Sequence, residues 1–111
     1  MASKKSFNKP KLVDAVSMAG DSVSSSVDCL FMEVISFQFV WTGAPTGSID
    51  IELSNDGISW TPANVDAVDP AGAASSSILE VETSSRYARS SYVATSGSGT
   101  LTVHVTGKSL S

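Results

Sequence analysis

The stretch Val34-Ile35-Ser36-Phe37-Gln38-Phe39-Val40-Trp41-Thr42 decides the fold. Successive side chains of an extended chain point to opposite faces. Ile35, Phe37, Phe39 and Trp41 therefore share one face, while Ser36, Gln38 and Thr42 share the other with Val34 and Val40. An apolar face against a polar one is the signature of a half-buried antiparallel strand. The same period recurs on either side. Ile49, Ile51 and Leu53 alternate with Ser48, Asp50 and Glu52, and Leu101, Val103 and Val105 alternate with Thr100, Thr102, His104 and Thr106. Ser77 to Glu82 and Arg86 to Ala94 read as two further strands, with fainter candidates at Lys11 to Met18 and Ser22 to Cys29.

The joints between these runs carry turn chemistry. Gly43-Ala44-Pro45-Thr46-Gly47 is a short loop after the first strong strand, and Ser96-Gly97-Ser98-Gly99 precedes the last. Ser54-Asn55-Asp56-Gly57 turns the chain into Ile58-Ser59-Trp60. Asn and Asp tolerate left-handed geometry there, and Gly supplies positive φ. Pro62 to Ser77 is the longest irregular segment, beyond the usual length of a connection. No helical period is sustained and no internal repeat is present. Six to eight short strands with turns about every ten residues predict an all-β fold, a single antiparallel β-sandwich of jelly-roll or immunoglobulin-like type. Trp41 and Trp60 are expected in its core, each indole N–H needing one partner.

At 111 residues the chain has room for one domain. It holds 22 Ser and 8 Thr against 18 charged residues. Small hydroxyls suit the outer face of a strand, and a surface so poor in charge suits packing against other protein copies, where desolvating Lys or Glu is expensive. A single Cys (Cys29) and a single His (His104) exclude a disulfide scaffold and a Cys/His zinc site within one chain. No apolar run reaches the ~18 residues of a membrane span. The first residues carry lysines with no apolar segment behind them, which is not the pattern of a secretion signal.

Charge is unevenly placed. Lys4, Lys5, Lys9 and Lys11 form a basic N-terminal arm over residues 1–11, expected to be extended or partly disordered, ahead of a sandwich over residues 12–111. The rest of the chain holds Arg86, Arg89 and Lys108 against eleven acids. A basic arm on an acidic body reads either as a solvated tail that keeps the protein soluble or as an arm that docks on an acidic neighbour, including a copy of itself. Without arginine or an aromatic platform the arm is poorly suited to nucleic acid, and the acidic body repels a duplex.

Catalytic chemistry finds few residues to work with. Nucleophilic catalysis needs Ser or Cys beside an oriented base, and His104 sits on the outward face of its strand. Cys29 reads as a small buried residue. Asp50/Glu52 and Glu80/Glu82 are i, i+2 pairs about 7 Å apart on one strand face, alternating with apolar residues, hence a solvated face. Asn55 and Asp56 offer oxygen ligands for Ca²⁺ but lack an acidic cluster around them. Gly97-Ser98-Gly99 opens into a strand and lacks a following Lys, so it is no phosphate loop. The chain is expected to be no enzyme and to use no cofactor and no metal.

Five segments read together carry a resemblance: Trp41-Thr42-Gly43, Gly47 to Leu53, Ser54 to Trp60, Arg86-Tyr87-Ala88-Arg89 and Gly97 to Val103. Over Ser36 to Lys108 they resemble the small capsid- or tail-associated β-sandwich proteins of tailed bacteriophages. The S-N-D-G-x-x-W turn followed by R-Y-x-R is also similar to discoidin-like (F5/8 type C) jelly rolls, which bind glycans or lipid heads. The chain is shorter than those domains and lacks their terminal cysteines. The resemblance implies a structural virion component, a capsid decoration (cement) or tail-associated protein, located in the virion after synthesis in the host cytoplasm. Its partners would be other virion proteins and copies of itself, with no membrane. The alternative it implies is a carbohydrate-binding or adhesive module, with the Pro62 to Ser77 loop and Tyr87 or Tyr92 near a glycan.

Overall fold

The alternation in residues 34–42 is realised as the central strand of one of two packed sheets. The computed structural model describes residues 6–63, 66–71, 75–82 and 85–109. Nine strands occur among them: β1 (Ser6–Ser17), β2 (Ser22–Val23), β3 (Val27–Asp28), β4 (Val34–Trp41), β5 (Thr46–Ser54), β6 (Thr61–Pro62), β7 (Ser76–Glu82), β8 (Tyr87–Ser96) and β9 (Thr100–Lys108). The first sheet runs β1-β9-β4-β7 and the second β2-β8-β5-β6, with β3 also on β8. All pairings are antiparallel. β2 and β3 are two pieces of one interrupted strand, stitched to β8 between them by Ser24 N to Ser90 O and Ser90 N to Ser24 Oγ, both 2.9 Å. Counted so, the sheets read 1-8-3-6 and 2-7-4-5, and the chain changes sheet at every connection except β5 to β6. That is the strand order of a jelly roll, which selects between the two expected sandwich types.

The core lies where the inward rows meet. Ile35, Phe37 and Phe39 are fully buried and Trp41 nearly so. They face Ile49 and Ile51 of β5 and Ala88 and Tyr92 of β8, with Val103 and Val105 beside them in their own sheet. The Phe37 and Phe39 rings stack at 6.2 Å between centroids. Tyr92 is the largest fully buried side chain, and its hydroxyl donates to Met18 O or Thr46 O, each at 3.3 Å. Trp60 departs from expectation: it is half-buried on the outside of β8, not in the core. The apolar residues that alternate with it, Ile58 and Pro62, are exposed, so this short row faces outward.

The two connections that cross between sheets at one end, 42–45 and 97–99, interlock. Ala44 N donates to Ser98 O (3.0 Å), Thr42 N to Thr100 O (3.0 Å), and the Thr42 and Thr100 hydroxyls share a hydrogen bond of 2.8 Å. Gly97 sits at φ +83°, where a Cβ would strike the Ala44 carbonyl. The long connection after β6 is pinned to the second sheet, because Val68 and Ile49 exchange both backbone hydrogen bonds.

β1 begins at Ser6, so strand pairing reaches into the basic segment. Ser6 to Lys9 pair in register with Lys108 to Val105. The ladder then shifts twice before Val16 meets Leu101, and Lys11 and Ala15 adopt positive φ of 55° and 52° at those irregularities. These are β-bulges, which bend and twist an edge strand.

Candidate assembly interface

Each of the two sheets ends in two edges, and an edge exposes unpaired backbone N–H and C=O groups to any passing strand. Three of the four edges are blunted. β1 is bulged and carries Lys9-Pro10-Lys11; β2 and β3 are two-residue pieces; β6 has two residues, one of them Pro62. β7 differs. Its seven residues pair with β4 without a shift from Val34↔Glu82 to Val40↔Ser76, and it contains neither Pro nor Lys. Its Ile78, Glu80 and Glu82 are exposed.

Lys9 and Lys11 are exposed on β1, at the opposite edge of the same sheet. Lys4 and Lys5 lie outside the described residues. The first sheet therefore has a basic edge and an acidic one. Between them its outer face is mostly neutral. A shallow groove of about 380 Å³ is lined by Asn8, Pro10, Gln38, Ile78, His104 and Thr106, and Ser36 joins it to a second of about 280 Å³. His104 Nδ1 accepts a 2.9 Å hydrogen bond from the Lys11 backbone N–H. The imidazole thus holds the first bulge in place.

The outer face of the second sheet carries a different assembly. Arg89 Nε donates to Glu52 Oε1 at 2.7 Å across β8 and β5, while its guanidinium lies 4.3 Å over the Trp60 ring. One ring down, Arg86 lies 5.3 Å over Tyr87 and reaches Asp28 at 3.4 Å. The two quoted segments Ser54 to Trp60 and Arg86 to Arg89 meet here, since Asn55 Oδ1 also accepts from Arg86 N (3.0 Å). Asp56 Oδ1 accepts from Ile58 N and Ser59 N (2.8 Å each) and from Ser54 Oγ (2.9 Å). Those donors, Ser59 and Ile58 foremost, hold its carboxyl down at about 2. The Asn55 and Asp56 oxygens are thus engaged in building the turn. Among the described residues no group of three His, Cys, Asp or Glu forms a metal-type cluster.

Two residues named for a glycan site change status. Tyr92 is buried at 1% exposure and offers no platform, and Tyr87 is half-buried beneath Arg86. Trp60, expected in the core, lies instead half-buried on the surface of the second sheet, with Arg89 over its face. Cys29 is buried as expected. Burial, with the Asp28 charge nearby, pushes its thiol up to about 11.

No family model matches this sequence, and no curated protein matches it. Solved structures do match the fold. The SPBc2 prophage-derived protein YomS superimposes with a TM-score of 0.68 at 9% identity, covering 98% of this chain and 97% of that one. The chain of the infectious bursal disease virus VP2 subviral particle matches with a TM-score of 0.60 at 11% identity. There this chain is covered over 96% of its length but spans only 32% of the viral chain. The C-terminal CBM6 of LamC from Zobellia galactanivorans gives 0.50 at 9% identity, covering 91% and 98%. At such identities the likeness is one of fold.

Proposed function

We propose that this chain is a structural, non-catalytic component of a bacteriophage virion, a capsid decoration or tail-associated protein that assembles with other virion proteins and with copies of itself. The observation that carries this reading is the outer face of the first sheet. Asn8, Ser36, Gln38, Thr102 and Thr106 present amides and hydroxyls there, with Ile78 exposed among them. Such groups lose little on desolvation and form hydrogen bonds across an interface, whereas charged side chains are costly to bury. The end-to-end fold match to a prophage-derived protein and the match to a viral particle protein support the setting. The function is then mechanical, many modest contacts multiplied by symmetry.

The test is co-sedimentation of the purified chain with phage capsids and with isolated tails, alongside light scattering after size exclusion. Binding to either particle at a fixed stoichiometry is the expected result. A strict monomer that sediments with neither overturns the reading.

A further inference from the structure

We propose that β7 is an acceptor edge for strand addition, and that its occupant is the Ser6–Lys9 segment of β1 from a second copy of this chain. The inference rests on the assembly reading above and names the surfaces that would perform it.

The argument starts from backbone geometry. β7 presents a regular, unbulged strand whose far side meets no other strand among the described residues. Main-chain hydrogen bonding to such an edge is the recurring mode of strand addition. β1 is a poor acceptor over most of its length, but Ser6 to Lys9 is its regular part, four consecutive pairs on β9 before the ladder shifts. The bulge that begins after Lys9 would stop any added pairing at about one short segment. The contact would be brief and reversible, as suits a joint repeated around a particle.

Register and direction agree. Asn8 stands level with Thr106, Ser36 and Glu80 across the four strands, and Ser6 with Lys108, Val34 and Glu82. β1 and β7 also run antiparallel within the sheet, since three antiparallel pairings separate them. A second copy displaced sideways along the sheet therefore sets its Ser6–Lys9 antiparallel to Glu82–Leu79 at the same height. The edges attract, because Lys9 and Lys11 are exposed on one and Glu80 and Glu82 on the other. The contact is head-to-tail. Sheet twist rotates each copy against the last, giving a ring or a helical row.

Two experiments on the full chain test this. In sedimentation velocity at low salt, self-association is expected in the wild type and is expected to weaken on the order of tenfold in Glu80→Lys/Glu82→Lys, as in Lys9→Glu/Lys11→Glu. Mixing the two variants restores it, since one supplies a basic β7 and the other an acidic β1. The second experiment reads geometry rather than charge. Asn8→Cys chains mixed with Glu80→Cys chains are expected to form an intermolecular disulfide under mild oxidation, faster than Asn8→Cys with a Ser48→Cys control on the other sheet. Equal rates for the two pairs, or charge variants that associate as the wild type does, overturn the proposal. Particle binding that survives both outcomes leaves the virion reading standing while this edge contact falls.

Discussion

Phe7 and Gly107 face each other across β1 and β9, and the glycine is what lets the ring lie down. A Cβ added at Gly107 would stand 2.7 Å from Phe7 Cδ1 and 2.9 Å from Cζ, and closer still to Cε1. In Gly107→Ala the ring must retreat by roughly 1.5 Å to recover ordinary carbon contact. Phe7 is half-buried against the core, so displacing it forfeits about 1 kcal/mol, half of what full burial of such a side chain contributes. The new alanine returns about 0.5–1 kcal/mol, because glycine in a strand costs that much chain entropy. Global stability should scarcely move. The local hold on Ser6–Lys9 should loosen roughly fivefold, the ratio that about 1 kcal/mol represents. Native-state hydrogen exchange reads the local term and urea unfolding the global one. The decisive comparison is Gly107→Ala in a Phe7→Ala background, where no ring remains to displace. There the substitution should be neutral or stabilising, so the two changes are non-additive. Additive effects, or undiminished protection of Ser6–Lys9 in Gly107→Ala, would refute the packing argument.

Arg89→Ala removes a 2.7 Å ion pair with Glu52 together with its stacking on Trp60 and should cost about 1–2 kcal/mol in urea unfolding, with Arg89→Lys recovering only part because an ammonium cannot lie flat on the ring. Asp56 has its carboxyl held at about 2, below its ordinary 3.8. The stability it confers is therefore complete above pH ~4 and lost as pH falls toward 2. Asp56→Asn should flatten that limb of a stability-versus-pH curve, and an unchanged curve would count against the turn's role. Cys29, with its thiol pushed up to about 11 and buried, should stay unreactive toward a thiol reagent at pH 8 in the native protein and react at once in denaturant.

The core strands were legible because their period is strict. Ile35, Phe37 and Phe39 alternate with Ser36 and Gln38, and Ile49, Ile51 and the β9 valines likewise have polar alternates, so burial of one face fixes the other. β1 was only half visible. Lys9-Pro10-Lys11 reads as a tail by composition, yet Phe7 and Gly107 continue the ladder to Ser6, a partnership between residues distant in sequence that no local pattern announces. Trp60 was misplaced for a related reason. A tryptophan after a tight turn resembles a core anchor, and only the arrival of Arg89 from β8 reveals an outward ring resting under a cation. The open β7 edge could not be read at all. Whether a strand is central or peripheral depends on topology, and Ser76–Glu82 has the same alternation in either place.

The adjacency of β1 and β9 also sets an order of events during synthesis. The basic strand leaves the ribosome well before its hydrogen-bonding partner and pairs only when residues 100–108 have followed. Until then Phe7 has no glycine to cover and the sheet stops at β4. A truncated or half-made chain thus lacks an ordered donor strand, although β4 and β7 have already been made. On the proposed edge contact, competence to join a neighbour would be conferred last, by the same pairing that finishes the sheet, and incomplete copies would be poor building blocks.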